Sequence, residues 1–160
     1  MCASTRFKPV GGISSAAVVP SGASACGSPA EIAARAVELP LVEGLSSYEE
    51  RVDSRDGIFR VEHRLTIALP AGYARDRFSA AECRRLAAVG TAAVIVTESG
   101  ERLIAGWSEQ FGSEQPLRLT GIAFTTGTSP RDVPAAILTF ASIDGATAER
   151  IQNSEFKIQN

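Results

Sequence analysis

The chain has 160 residues, 44% of them hydrophobic and 21% charged, with 16 basic side chains against 18 acidic ones. That length suits one domain with a real core, the apolar content excludes wholesale disorder, and the near-balanced charge argues against a general nucleic-acid surface. No apolar run approaches the roughly 18–20 residues that a bilayer span needs.

Residues 6–19 read as an interrupted strand. Phe7, Val10, Ile13, Val18 and Val19 favour extension, while Pro9, Gly11 and Gly12 mark an edge, a bulge or a bend. Turn chemistry follows at 20–24. Ser28-Pro29-Ala30-Glu31 then places Ser at an N-cap, Pro at the first helical position and Glu at the third, which predicts a short helix. Ile32, Ala33, Ala36 and Val37 would form its apolar stripe, although 36–42 is equally compatible with an extended chain.

The strongest signal runs from Ile58 to Leu69. Phe59, Val61, His63, Leu65, Ile67 and Leu69 alternate with Arg60, Glu62, Arg64 and Thr66, which predicts a long strand with one buried face. A turn over 53–57, ending in Asp56-Gly57, joins it to a partner strand at 47–52. The charges Glu49, Glu50, Asp53 and Asp56 alternate with Arg51 and Arg55, and this cluster reads as a solvated, salt-linked turn. A second capping signal, Ser79-Ala80-Ala81-Glu82, opens a helix with Cys83, Leu86, Ala87 and Gly90 on its apolar side, and Gly90 is placed to end it. Two more hairpins follow, 92–97 with 102–107 and 117–126 with 135–141. The connection 127–134 is rich in Pro, Thr and Ser, and reads as an exposed binding loop or a mobile one. Residues 143–160 are weakly patterned and read as a tail or arm that orders against a partner.

The predicted fold is therefore α+β and mainly β. It is an antiparallel sandwich or small barrel built from hairpins, with one packed helix and a short inserted helix. One β-rich domain spans 1–142, and 20–44 reads as an insertion.

Chemistry-bearing residues are sparse. His63 falls on the apolar face of the long strand, and a buried, hydrogen-bonded core histidine is the favoured reading over a small hydrolase built on it. Cys2, Cys26 and Cys83 match neither a zinc spacing nor a redox pair, so three free thiols, no metal and no cofactor are expected. The start of the chain carries no apolar leader, so no secretory signal is expected. No catalytic residue is assigned, and the chain is read as a non-enzyme. Trp107 reads as a core or interface anchor.

Three stretches carry a resemblance. They are Val10-Gly11-Gly12-Ile13, the run from Val96 to Trp107, and Pro116-Leu117-Arg118-Leu119-Thr120 followed by Phe124-Thr125-Thr126-Gly127 and Ile137-Leu138-Thr139-Phe140. In patches over 6–19 and 45–142 the chain resembles small structural proteins of tailed phages and prophages. The resemblance implies a virion component of the tail, tail tube or baseplate, made in the bacterial host cytoplasm. Its partners would be copies of itself in a ring or stack and other virion proteins, with no membrane and no sequence-specific nucleic acid. Phe7, Val10, Ile13, Trp107, Phe156 and Ile158 are the expected assembly contacts, and residues 1–19 and 143–160 are the expected arms that add strands to a neighbour. The alternative is a non-catalytic binding module using the 127–134 loop.

Overall fold

The structure is a computed structural model, and it describes residues 12–19, 27–108, 114–145 and 147–151. Two antiparallel sheets pack face to face without closing into a barrel, so the expected α+β, mainly β sandwich is the architecture found. Five strands make the first sheet: β1 (Ile13–Val18), β2 (Val37–Glu38), β5 (Ala93–Thr97), β6 (Arg102–Ala105) and β9 (Glu149–Arg150), in the order β2-β1-β5-β6-β9. The second contains β3 (Ser47–Arg55), β4 (Ile58–Pro70), β7 (Arg118–Thr125) and β8 (Ala135–Asp144), in the order β3-β4-β8-β7.

The main core lies between the sheets. Leu65, Ile67 and Leu69 of β4 and Leu138 and Phe140 of β8 meet Ala16 and Ile95 of the other sheet, with Leu86 of a helix closing one end. Alternation along β4 produces this directly, because period-2 side chains share a face. The first sheet buries its other face as well: Ile104 and Ala92 pack with Ile32, Val19 and Ile151 in a second cluster.

Ile32 belongs to α1 (Pro29–Arg35), where the expected capping box is complete. The Ser28 hydroxyl accepts from the Glu31 amide, and the Glu31 carboxylate accepts from the Ser28 amide at 3.0 Å. The chain leaves this helix at Ala36 in an extended conformation, and β2 then pairs with β1. The segment that reads as an insertion is thus built into the domain through Ile32 and Leu39, both buried.

Two helices connect the sheets, α2 (Ala71–Arg77) and α3 (Ala80–Ala88). At α3 only half of the expected box forms: Ser79 caps Glu82, but the Glu82 carboxylate turns to Arg85 in a two-pronged ion pair. The apolar side is narrower than predicted, with Leu86 buried and Ala87 exposed. Gly90 does follow the helix in a left-handed conformation (φ 82°), where a Cβ would lie 2.6 Å from the Leu117 carbonyl. That close approach lets Thr91 and Leu117 exchange backbone hydrogen bonds of 2.8 and 2.9 Å, tying the start of β5 to the start of β7.

Three boundaries differ from expectation. The β3–β4 turn is Asp56-Gly57 alone, both at positive φ (53° and 76°), so pairing continues to Arg55↔Ile58. A two-residue turn of this kind matches strand twist, so no looser connection is needed. Residues 71–77, which carried no prediction, form α2. The expected tail is folded as far as Ile151, because β8 runs to Asp144, β9 pairs with β6, and Ile151 is buried. Residues 152–160 lie outside the described residues.

Candidate functional site

The β3–β4 ribbon has two halves. Strand β8 pairs with β4 only from Val61 to Pro70, so among the described strands the ribbon beyond Val61 is two wide. Its apolar side chains there are uncovered: Ile58 is 70% exposed, Phe59 52% and Val52 47%. Val52 and Phe59 lie on the face that continues into the core, and Ile58 lies on the opposite face, across from Arg55.

That opposite face is charged in a regular pattern. Along β3 the outward residues are Glu49, Arg51, Asp53 and Arg55, and along β4 they are Arg64, Glu62 and Arg60. Cross-strand register sets Glu49 against Arg64, Arg51 against Glu62 and Asp53 against Arg60. Opposite charges therefore meet in these three rows, and along β3 the sign alternates at every second residue. Ion pairs of 3.3–3.4 Å also run along the strands, Arg51–Glu49, Arg55–Asp53 and Arg64–Glu62. At their exposure such pairs contribute little to stability. Among the described strands, β3 is an edge whose free side carries no ladder partner.

The charge cluster expected to be wholly solvated is divided. Glu50 faces inward, opposite His63. The Tyr48 hydroxyl donates to Glu50 Oε1 at 2.9 Å and lies 2.7 Å from His63 Nδ1. The same carboxylate oxygen accepts from the Ala148 amide at 3.0 Å. A proton on His63 Nδ1, donated to the phenol oxygen, satisfies all three groups at once. Burial, reinforced by the charge of Glu50 and its hydrogen bond, pushes the Tyr48 phenol well above the ordinary tyrosine range. The phenol is thus held as a neutral donor, and the cluster laces β3, β4 and the segment before β9 together. His63 is buried, at 3% exposure, in keeping with the core reading. Tyr48 and Glu50 form one wall of a cleft of about 470 Å³, whose other walls include Thr97, Leu103 and the ion-paired Glu101 and Arg150.

Of the expected assembly contacts, Ile13 and Trp107 lie among the described residues. Ile13 is buried in the main core between the sheets. Trp107 is half-buried against the second cluster. Phe7, Val10, Phe156 and Ile158 lie outside the described residues, as do Cys2 and Cys26. The Cys83 thiol donates to the Phe78 carbonyl.

The 127–134 loop is organised internally. The Asp132 carboxylate accepts from the Thr128 and Ser129 amides, both at 2.9 Å, and these bonds hold its acid strength above that of an ordinary carboxyl. No helix among the described residues is long and apolar enough to cross a membrane. Comparisons with protein-family models, with curated proteins and with solved structures find no match to this chain.

Proposed function

We propose that this chain is a structural subunit of a phage or prophage-derived particle, of the tail or baseplate class, and that it works by self-assembly. The observation that carries the assembly reading is the uncovered end of the β3–β4 ribbon. A two-stranded ribbon is marginal alone, yet this one extends past its sheet and exposes Val52, Ile58 and Phe59 near its end. Exposed apolar side chains on both faces of one ribbon end favour a protein partner over water. The placement in a phage-type particle rests on the sequence resemblance, and its partners there are other copies and other virion proteins.

The ribbon offers a joining surface in addition to the terminal arms that the sequence suggests. An open edge strand beside an apolar face suits strand addition by a neighbour. Sedimentation velocity over a wide concentration range, with electron microscopy of the same samples, tests this. Ordered oligomers, or co-sedimentation with particles, are expected. A protein that stays monomeric at every concentration and never accompanies particles overturns the proposal.

A further inference from the structure

The charge order on β3 names the partner and the register. This inference rests on the self-assembly reading and deepens it. We infer that β3 pairs antiparallel with β3 of a second copy, about a two-fold axis through Val52, joining the two four-stranded sheets into one.

The signs of the outward side chains set the pairing. Glu49, Arg51, Asp53 and Arg55 read minus, plus, minus, plus along the outward face. Reversed and centred on Val52, the same strand sets Glu49 against Arg55 of the second copy and Arg51 against its Asp53, and the two-fold repeats both contacts. The rows then extend through both ribbons. Glu62, Arg51, Asp53 of the second copy and its Arg60 alternate in sign across four strands, given the pairings Arg51↔Glu62 and Asp53↔Arg60 within each copy. Arg64, Glu49 and Arg55 of the second copy alternate likewise. Directly opposed unlike charges stabilise a strand pair and like charges oppose it.

The nearest alternatives fail on the same rule, and antiparallel pairing slipped by four or parallel pairing slipped by two opposes unlike charges in fewer pairs, two or three against four. A slip by two residues in either direction sets Arg51 or Asp53 against its own copy and brings like charges together. Parallel in-register pairing opposes like charges at every outward position. A slip by one residue turns the charged face of one copy onto the apolar face of the other. Alternating charge also keeps the edge from pairing indiscriminately, so the pattern selects one partner as it rejects others.

The inward face agrees independently. Val52 pairs with Val61 inside each copy, so the two-fold builds the row Val61, Val52, Val52 of the second copy and its Val61. Val52, 47% exposed in the single chain, becomes the centre of an apolar stripe.

The test combines cross-linking with charge exchange. With Cys2, Cys26 and Cys83 replaced by Ser, Val52→Cys is oxidised mildly. Opposed residues of an antiparallel pair lie about 4.5–5.5 Å apart between Cα atoms, within disulfide reach, so a disulfide-linked dimer is expected. Ser54→Cys in the same background faces Glu50 of the second copy and stays unlinked, whereas parallel pairing would link both. Arg51→Glu/Arg55→Glu makes β3 uniformly acidic and should raise the dimer dissociation constant about tenfold or more. Glu49→Arg/Asp53→Arg does the same with basic charge, and an equimolar mixture of the two variants recovers the dimer as a heterodimer. Circular dichroism confirms that each variant is folded before it is scored. Oligomers that form without the Val52→Cys link, or folded charge variants that self-associate like the parent, overturn the pairing and leave self-assembly standing. A parent protein that is monomeric at every concentration overturns both.

Discussion

The two halves of β4 carry the same alternating pattern and meet opposite fates. From Val61 to Leu69 the inward side chains lie beneath the second sheet's partner, and Val61, Leu65, Ile67 and Leu69 are fully buried. Two residues before Val61 the pattern is unbroken, yet Phe59 is largely exposed. Alternation establishes that a strand has an apolar face, but it does not establish what covers that face. The inner half is covered by its own chain. The outer half is the part to which the proposal assigns a second copy.

The comparison can be broken most forcefully from the inside. Leu65→Ala should destabilise the fold by about 2–5 kcal/mol, the range for truncating a fully buried leucine, read as a lowered midpoint in urea. The hydrogen-bonded cluster at the boundary between the halves comes next. Tyr48→Phe leaves Glu50 and His63 each short of a partner and should cost about 1 kcal/mol. It should also alter the alkaline limb of stability. A phenol whose pKa is raised by folding contributes stability that is whole below the unfolded value of about 10 and is lost as pH climbs toward the folded value. Urea midpoints measured from pH 8 to 11 should therefore fall more steeply for the parent than for Tyr48→Phe.

The outer half should respond in the reverse sense. Val52→Ser should change the stability of dilute protein by no more than about 0.5 kcal/mol, while sedimentation velocity shows weakened association. A large loss of stability in dilute solution would mean that the tip is already covered within the single chain. The smallest effect is expected at the far loop. Its carboxyl pKa is lowered, so the bonds from Thr128 and Ser129 persist as pH falls through the ordinary aspartate range near 3.9 and are released below it. Amide chemical shifts of those two residues, followed by NMR, should titrate with a midpoint under that of a free carboxyl, and Asp132→Ala should abolish the transition.

Much of this architecture was legible in the residues, for identifiable reasons. The capping box at Ser28 and Glu31, the helix stop at Gly90 and the alternation of β4 are local signals, and local chemistry decided them. Helix α2 was missed because Pro70 precedes it without a side-chain cap and its seven residues hold only one buried position, Ala74. The short strand β9 and Ile151 were missed because two residues of pairing depend on β6, which is distant in sequence. The Tyr48–Glu50–His63 cluster was recoverable in principle. A two-residue Asp56-Gly57 turn fixes the register, and that register sets Glu50 against His63. Reading the turn as five residues long concealed the pair. The uncovered tip was beyond reach, because it depends on β8 ending at Asp144, opposite Val61.

Hydrogen exchange along β3, compared between dilute and concentrated protein, tests the joining of two copies most directly. If β3 is the shared edge, the amides of residues 48–56 that point away from β4 should gain protection as concentration rises, while those of the opposite edge strand β7 should not. Exchange along β3 that stays fast at concentrations where the protein is oligomeric would contradict the account.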